Sequence, residues 1–231
     1  TEYGCTSVAY RPDGHQLAIA FWDKRIKFWS IGVAQEHYTV IQKDINLIVA
    51  YRPDGKQLAV GTGGYDKTIW LWSVAEVYKY KFGLGTPEGC EARLTGHRNW
   101  VDSIAYHPDG VWLASGDRDG TLGLWDSHNH NRLGWWLKRH NGEILSLVWS
   151  PSGLELITGG GDGAVRLWCL VEKNSDISLQ LCWQSTATHL SSYSLQLDEV
   201  IGLSEFNRKL LQQRGLIIEL NYYSRGTFHD K

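Results

Sequence analysis

Five polar residues in the middle of the chain supply the side chains of a Ser-His-Asp catalytic triad. In a triad, an imidazole takes a proton from a serine hydroxyl, and a carboxylate holds the imidazole in place. Triads are recognised by geometry and not by sequence order, so these residues permit a hydrolase hypothesis. The candidates are His97, Asp102, Ser103, Ser115 and Asp119.

Two glycine clusters and one histidine pair are weaker signals of ligand binding. The clusters at residues 61–64 (GTGG) and 159–163 (GGGDG) resemble phosphate-binding loops in composition. A phosphate loop precedes a helix, however, whereas these precede strand patterns, so we expect hairpin turns. His128 and His130 have no third or fourth metal ligand nearby in the sequence, which favours a solvated turn. We therefore predict no metal site and no cofactor.

The segments that must position these residues repeat four times. In each unit a turn containing a proline is followed, 17 to 19 residues after the proline, by a tryptophan. An aspartate stands six residues before that tryptophan, and apolar residues stand three and one before it, which is the period-two spacing of a strand. Each unit is predicted to have three strands joined by two turns, with a fourth strand in the connector. The proline turns are residues 10–14, 51–55, 106–110 and 149–153, and the tryptophans are Trp29, Trp72, Trp125 and Trp168.

On these motifs the chain resembles the WD-repeat family of β-propellers, whose repeats fold as four-stranded blades. Trp125 and Asp126 form the dipeptide that names the family, and Gly96 and His97 match its usual opening. The resemblance covers residues 1 to about 186 and implies an all-β propeller fold of antiparallel blades. The implied blades are residues 1–41, 42–95, 96–139 and 140–186.

The resemblance also implies a buried polar network in the third and fourth units. An indole, a hydroxyl, an imidazole and a carboxylate would bond in series and leave no buried donor unpaired, out of reach of a substrate. The first two units lack the histidine and the hydroxyl; the second has Gln42 and Val60 there. We therefore expect Asp23 and Asp66 to bond to turn amides. The implied networks are His97, Ser115, Asp119 and Trp125, and His140, Thr158, Asp162 and Trp168.

The composition limits the kinds of partner that the chain is expected to bind. The 231 residues include 23 Lys and Arg, 25 Asp and Glu, and a net charge of −2, with both signs mixed along the chain. The sequence has no basic stripe that would favour nucleic acid or an anionic membrane, and no apolar run of about 18 residues that could span a bilayer. We expect neither a nucleic-acid nor a membrane partner.

The cysteines indicate a compartment. None of the four has C-x-x-C spacing. Cys5 occupies a strand position equivalent to Val101, where we expect a small buried side chain. Cys169 follows a unit's tryptophan, Cys182 lies in a fourth strand, and Cys90 is placed in a loop. The interpretation is four reduced thiols in a cytoplasmic protein.

Four blades leave two blade faces uncovered, because propellers of this family usually close with about seven. The chain contains no methionine and starts at a repeat boundary. We expect further blades upstream in the full-length chain, ahead of self-association or a cap formed by the tail. The tail, residues 187–231, is predicted to contain a short amphipathic helix at about 204–214. Residues 82–90 are interpreted as a tolerated loop insertion.

A recognition face is implied by the family, whose partners commonly contact one rim of the propeller. The contacting positions lie eight and six residues before each proline and directly before each turn aspartate. Here they are rich in the apolar, aromatic and arginine side chains that dominate interface energetics. A register error of one residue would turn them inward instead. The candidate partner-binding residues are Trp22, Ile45, Leu47, Tyr65, Trp100, Asp102, Arg118, Glu143 and Leu145, and the remaining positions are Gly4, Thr6 and Gly161.

Two functions of different classes follow. The first is a non-enzymatic scaffold that binds a protein or peptide on this face, in the manner of the sensor or regulatory part of a larger signalling protein. The alternative is a propeller enzyme or small-ligand binder with a site in the central channel. That alternative needs acids, bases or ligands at matching positions of several units, and the alignment of the four units offers none. We predict no catalytic residue.

Overall fold

The computed structural model describes residues 4–32, 35–77, 90–136, 140–173 and 176–185. These residues form four sheets, each of four antiparallel strands. The expected all-β architecture of four-stranded units is confirmed. The predicted tail with its helix, and the insertion up to residue 89, lie outside the described residues. Within the described ranges, no helix has the length and apolar character needed to cross a membrane.

In each sheet four strands pair in chain order. Sheet 1 contains β1 (Cys5–Tyr10), β2 (Gln16–Phe21), β3 (Arg25–Ser30) and β4 (Gln35–Ile41). Sheet 2 contains β5 (Asn46–Tyr51), β6 (Gln57–Thr62), β7 (Ile69–Ser73) and β8 (Cys90–Leu94), with the short helix α1 (Val74–Val77) after β7. Sheet 3 contains β9 (Val101–Tyr106), β10 (Trp112–Asp117), β11 (Leu122–Asp126) and β12 (Arg132–Trp136). Sheet 4 contains β13 (Ile144–Trp149), β14 (Glu155–Gly160), β15 (Val165–Lys173) and β16 (Asp176–Gln184).

The proline turns join the first two strands of every sheet. In each turn the glycine adopts a positive φ of 68° to 75°, which an L side chain rarely tolerates. Its N–H donates to the carbonyl oxygen three residues earlier, as in Gly14 N to Arg11 O at 2.8 Å. The glycine clusters at residues 61–64 and 159–163 end β6 and β14 and form hairpin turns, as the strand patterns after them indicated.

A β-bulge recurs in the first strand of all four sheets. The antiparallel register skips one residue near the start of β1, β5, β9 and β13. A bulge leaves the extra residue without a partner and re-aims its side chain. The skipped residues are Thr6, Leu47, Asp102 and Leu145, which are the positions six residues before each proline.

Successive sheets pack face to face through three apolar cores. Sheet 1 packs on sheet 2, sheet 2 on sheet 3, and sheet 3 on sheet 4. Each sheet presents large side chains of its first strand to the preceding sheet, and we call this surface its incoming face. It presents small residues of its first two strands to the following sheet, and this is its outgoing face. Buried examples are Val49 and Ile104 on incoming faces, and Ala18 and Ala59 on outgoing faces.

Glycines set how closely the sheets approach. A Cβ atom on Gly116 would lie 2.5 Å from Ile144 Cγ2 of the next sheet and 2.7 Å from Ser103 Oγ. A Cβ atom on Gly61 would lie 2.9 Å from the carbonyl oxygen of Val101. Both glycines therefore hold a position where any side chain would force two sheets apart.

The cysteine expectation is wrong at all four positions. Cys169 and Cys182 form a disulfide between β15 and β16, with their Cα atoms 5.9 Å apart, so these two are not reduced thiols. Cys5 is exposed because no described sheet covers the incoming face of sheet 1. Cys90 begins β8 and pairs with Trp72 instead of lying in a loop. Burial raises the pKa of the Cys90 thiol.

Gly116→Ala should destabilise the protein by about 1–3 kcal/mol, because the added methyl group overpacks the junction between sheets 3 and 4. The matched control is Gly159→Ala at the same position in sheet 4, where no atom lies within 4 Å of an added Cβ. Urea denaturation of dilute protein should show a lower midpoint for the first variant alone. Equal midpoints in the two variants would contradict close packing at this junction.

Candidate functional site

The polar network of sheet 3 is a buried series of hydrogen bonds. Trp125 Nε1 donates to Ser115 Oγ at 2.8 Å, and Ser115 Oγ lies 2.7 Å from His97 Nε2. His97 Nδ1 lies 2.8 Å from Asp117 Oδ2. A neutral imidazole that carries its proton on Nδ1 satisfies every bond of this series. No polar atom of these four side chains lacks a partner.

The carboxylate of this network belongs to Asp117 and not to Asp119, so the sequence assignment is corrected. Asp117 ends β10, where it also accepts the backbone N–H of Asp119 at 3.0 Å and of Thr121 at 2.9 Å. Sheet 4 has Gly160, which has no side chain, at the position of Asp117. There the histidine, His140, bonds to Asp162, two residues after Gly160. Asp119 instead accepts a hydrogen bond from Asn99 Nδ2 at 2.7 Å.

The Ser-His-Asp hypothesis has the bonding order of a triad but not its accessibility. Ser115 is fully buried, and its hydroxyl already accepts the Trp125 indole N–H. Of the other candidates, Ser103 donates to Ile144 O at 2.8 Å, and Asp102 pairs with Arg118. A nucleophile must be reached by its substrate, so the described arrangement gives Ser115 a structural role.

Sheet 4 carries the corresponding series. Trp168 Nε1 donates to Thr158 Oγ1 at 3.0 Å, and Thr158 Oγ1 lies 2.8 Å from His140 Nε2. His140 Nδ1 lies 2.9 Å from Asp162 Oδ1, and Arg166 Nη1 lies 3.1 Å from Asp162 Oδ2. In sheet 4 the carboxylate belongs to Asp162, the residue that the sequence pattern indicated.

The first two sheets satisfy their aspartates differently. Asp23 accepts the backbone N–H of Arg25 at 3.2 Å, as expected, and also its guanidinium Nε at 2.5 Å. Asp66 was expected to bind turn amides, but its recorded donors are side chains: Trp70 Nε1 at 2.6 Å and the guanidinium of Arg93. A carboxylate beside a guanidinium gains a charge-assisted bond, which is stronger than a bond between neutral groups.

Sheet 2 also retains unsatisfied groups where the network is missing. Within the described part of the chain, the buried Trp72 Nε1 and both polar side-chain atoms of Gln42 have no hydrogen-bond partner. Val60 occupies the position of Ser115 and Thr158 and offers a methyl group instead of a hydroxyl. Buried polar groups without partners are destabilising, so this sheet depends on apolar packing.

The predicted rim positions are brought together by a recurring backbone bond. In every sheet the residue after the second strand donates its N–H to the carbonyl of a residue in the loop before the first strand. The pairs are Trp22 with Gly4 at 3.3 Å, Gly63 with Ile45 at 3.0 Å, Arg118 with Trp100 at 3.1 Å, and Gly161 with Glu143 at 2.8 Å.

In sheet 2 this position is held by Gly63 and not by Tyr65. The second hairpin is two residues longer than the others. The residue directly before its turn aspartate is therefore Tyr65, two residues beyond the one that makes the recurring backbone bond. Tyr65 lies in the extra turn and is fully exposed. Its N–H donates to Asp44 Oδ2 at 2.7 Å, and Asp44 Oδ1 accepts the N–H of Ile45 at 2.8 Å.

Sequence reasoning missed the role of Asp44, which fixes the turn that presents Tyr65. A signal for it exists in sheet 3, where Asn99 stands at the same distance before its rim residue. Asn99 Oδ1 accepts the N–H of Trp100 at 2.9 Å, as Asp44 does for Ile45. A short side chain with an acceptor oxygen in this loop is thus a positioning device in both sheets.

Two tryptophans from different sheets meet on this face. The ring centroids of Trp22 in sheet 1 and Trp100 before sheet 3 are 5.9 Å apart, with an edge-on angle of 64°. The space for this contact comes from Gly63, since a Cβ atom there would lie 3.0 Å from Trp100 Cδ2 and 3.0 Å from Leu47 Cδ1. Aromatic pairs of this geometry prefer an edge-to-face arrangement.

An arginine extends the pair. Arg118 Cζ lies 4.0 Å from the ring centroid of Trp100, and its Nε donates to Asp102 Oδ2 at 2.7 Å. The carboxylate sits on the bulge of β9, which turns it toward the guanidinium. We call these side chains the rim cluster: Trp22, Ile45, Leu47, Trp100, Asp102 and Arg118.

The members of the rim cluster differ in accessibility. Trp22 is 41% exposed, whereas Leu47 is only 8% exposed. Leu47 therefore supports the cluster from below, and its assignment as a contact residue is wrong. Among the residues that the structure describes, Glu143 and Leu145 are exposed on sheet 4, and no recorded side-chain contact joins them to the cluster.

Thr158→Val should lower the free energy of unfolding by about 1–3 kcal/mol, because it leaves the Trp168 indole N–H and His140 Nε2 without a partner. The reverse swap, Val60→Thr, gives the Trp72 indole an acceptor and should raise stability by up to about 1 kcal/mol. Urea denaturation of both variants checks the opposite signs. If both swaps shift stability in the same direction, the hydroxyl is not the deciding group.

Acid should destabilise the protein through His140 and Asp162. Burial lowers the pKa of His140 below its ordinary 6.5. Burial alone would raise the pKa of Asp162, but the hydrogen bonds from His140 and from two backbone N–H groups hold it below 3.8. Both groups bind fewer protons when folded, so stability should fall first below about pH 6.5 and again below about pH 4.

Urea midpoints measured from about pH 7.5 to pH 5 test the histidine part of this dependence. The wild-type midpoint should decrease across this range, and His140→Gln should flatten the curve, because glutamine does not titrate. An unchanged slope in the variant would assign the acid sensitivity to other groups.

Comparisons with known proteins agree with this architecture. The family model described as "WD domain, G-beta repeat" matches residues 1–30, 43–73, 88–126 and 133–169, which is more than half of the chain. A nuclear distribution protein nudF 2 of Aspergillus clavatus is 45% identical over 65 residues, covering 28% of this chain and 12% of that protein. The protein transport protein SEC13 of Chaetomium thermophilum is 34% identical over 77 residues, covering 32% of this chain and 23% of that protein.

A solved structure resembles the fold. The Cps50 (Swd1) β-propeller domain of Myceliophteria thermophila superposes with a TM-score of 0.62 at 18% identity. The match covers 78% of this chain and 58% of that domain. The chain thus spans only a small part of the curated relatives and little more than half of this propeller. With four matched repeats and four sheets of the expected pairing, this chain belongs to the WD-repeat family of β-propeller proteins.

Proposed function

We propose that this chain is a non-enzymatic scaffold that binds a protein or peptide through Tyr65 and the rim cluster other than the buried Leu47. The observation that carries the proposal is the Trp22–Trp100 pair with Arg118 stacked on it. These side chains lie on one face and are held in place by backbone rungs and by Asp102. Tryptophan and arginine are the residue types enriched at interface hot spots, where a rigid aromatic surface loses little conformational entropy on binding.

The chemistry of the cluster limits what the partner presents. Trp22 offers an apolar ring that an aliphatic or aromatic side chain would cover. Arg118 directs Nε and Nη2 to Asp102, at 2.7 Å and 3.3 Å, and its remaining guanidinium donors suit a carbonyl or carboxylate acceptor. A short segment with an apolar residue beside an acceptor fits this surface.

The relatives support an interaction role in general terms. WD-repeat propellers that match this chain include a nuclear distribution protein and a protein transport protein, and those descriptions belong to those proteins alone. The absence of nucleic-acid and membrane partners remains a prediction from composition, whereas the predicted cytoplasmic location was inferred from the cysteines. The Cys169–Cys182 disulfide removes two of the four thiols from that inference, because disulfides persist mainly in oxidising compartments.

A displayed peptide library selected on the wild-type protein supplies a probe for the rim. Replacing Trp22, Tyr65 and Trp100 together by alanine should weaken binding of a selected peptide at least about tenfold, because hot-spot aromatics carry most of the binding energy. Fluorescence polarisation measures the dissociation constant, and the thermal transition should stay nearly unchanged.

Ile31→Ala is the control, since Ile31 is a 42% exposed apolar residue outside the rim. It should leave peptide affinity unchanged. Unfolding of the triple variant would make the three residues core, and equal affinity of triple variant and wild type would place the binding surface elsewhere.

A further inference from the structure

The carboxylates in the rim loops of sheets 1 and 2 are already bonded within the chain. Asp44 accepts three backbone N–H groups, those of Ile45 at 2.8 Å, Tyr65 at 2.7 Å and Asp66 at 3.1 Å. The other two carboxylates are paired with arginine: Asp23 with Arg25, and Asp66 with Arg93. None of them is therefore the partner of a lysine in the same loops.

Two lysines meet where these loops join. Lys24, in the hairpin between β2 and β3, donates from Nζ to the carbonyl oxygen of Lys43 at 3.0 Å. Lys43 lies in the loop between β4 and β5, and both lysines are exposed. Among the described residues, neither ammonium group has a recorded carboxylate partner. Lys24 uses one of its three N–H donors on a neutral carbonyl, so the positive charge of both lysines stays uncompensated.

The same two loops contribute to the rim cluster. Trp22 precedes Lys24 by two residues in one hairpin, and Ile45 follows Lys43 by two residues in the next loop. The N–H of Gln42 donates to the carbonyl oxygen of Lys24 at 2.8 Å, so the backbone also joins the two loops. A partly exposed indole and two ammonium groups are thus presented together, which suits an apolar group beside an anion.

The rim has the opposite charge at its other end. Asp119 in sheet 3 and Glu143 before sheet 4 are both exposed. Asp119 accepts from the neutral amide of Asn99 at 2.7 Å, and Glu143 lies over Gly161, where an added Cβ would be 2.9 Å from Glu143 Cδ. Arg98, next to Asn99, offsets one of these two negative charges. An acidic ligand group is therefore favoured at the lysine end and repelled at the Glu143 end.

We propose that the segment bound by the rim cluster is acidic. An aspartate or glutamate of the partner contacts Lys24 and Lys43, and an adjacent apolar residue covers Trp22. This inference rests on the proposed function and adds the charge and the orientation of the ligand. Complementary charges fix the register of a bound segment and reject like-charged alternatives.

Peptides selected on the wild-type protein from a displayed library supply the probes. The relevant ones are the rim binders, whose affinity falls in the triple variant Trp22→Ala, Tyr65→Ala and Trp100→Ala. They should contain Asp or Glu next to an apolar residue. Exchanging this acid for its amide, Asp for Asn or Glu for Gln, should weaken binding about threefold to tenfold in fluorescence polarisation, because the exchange removes the charge and keeps the shape.

Charge reversal on the protein tests the two lysines. Lys24→Glu and Lys43→Glu should each weaken an acidic rim binder about threefold or more, and the same peptide with lysine in place of its acid should regain affinity for these variants. Lys56→Glu is the matched control, because it changes the net charge equally and Lys56 is exposed after the proline turn of sheet 2, at the opposite end of the strands. It should leave the affinity unchanged.

The outcomes separate this inference from the proposed function. Rim binders without an acidic residue, or with unchanged affinity for Lys24→Glu and Lys43→Glu, overturn the acidic partner and leave the proposed function standing. An equal loss in Lys56→Glu also overturns the acidic partner, since overall charge would then explain the effect. If the library yields no rim binder, the proposed function fails and the acidic partner fails with it.

Discussion

Large side chains pack against alanine and glycine between successive sheets, and this packing holds the four sheets together. Ala59 faces Ile104, and Gly116 admits Ile144, because the facing position has almost no side chain. Each sheet alone would expose an apolar face, so no sheet is stable without a neighbour.

The bulges connect this packing to the geometry of the rim cluster. By skipping one residue in each first strand, they free a side chain from the ladder while the rest of the strand stays buried. In sheet 3 the freed residue is Asp102, which orients Arg118 over Trp100. In sheet 2 it is Leu47, which fills the space beside Gly63. The same bulge thus places a side chain that orients an arginine in sheet 3 and a side chain that packs beneath the rim cluster in sheet 2.

The polar networks divide the four sheets into two kinds. Sheets 3 and 4 bury a complete series from indole to carboxylate, and its bonds leave no orphaned donor. Sheet 2 buries an indole and an amide without partners and relies on the apolar core between sheets 1 and 2. The deficit is tolerable because dense apolar packing contributes most of the stability of such a domain.

The repeat, the four-stranded antiparallel units and the turns are predictable from the sequence, because strand period and turn residues are local properties. It also located most of the rim, since positions counted from a fixed turn keep their place. Three features are visible only in the folded chain: Asp117 replaces Asp119 in the polar network, Gly63 replaces Tyr65 in the recurring backbone bond, and Cys169 meets Cys182. The longer second hairpin is visible in the spacing from proline to tryptophan, but which residue takes the backbone bond, and which side chain reaches a neighbour across space, depends on the folded chain.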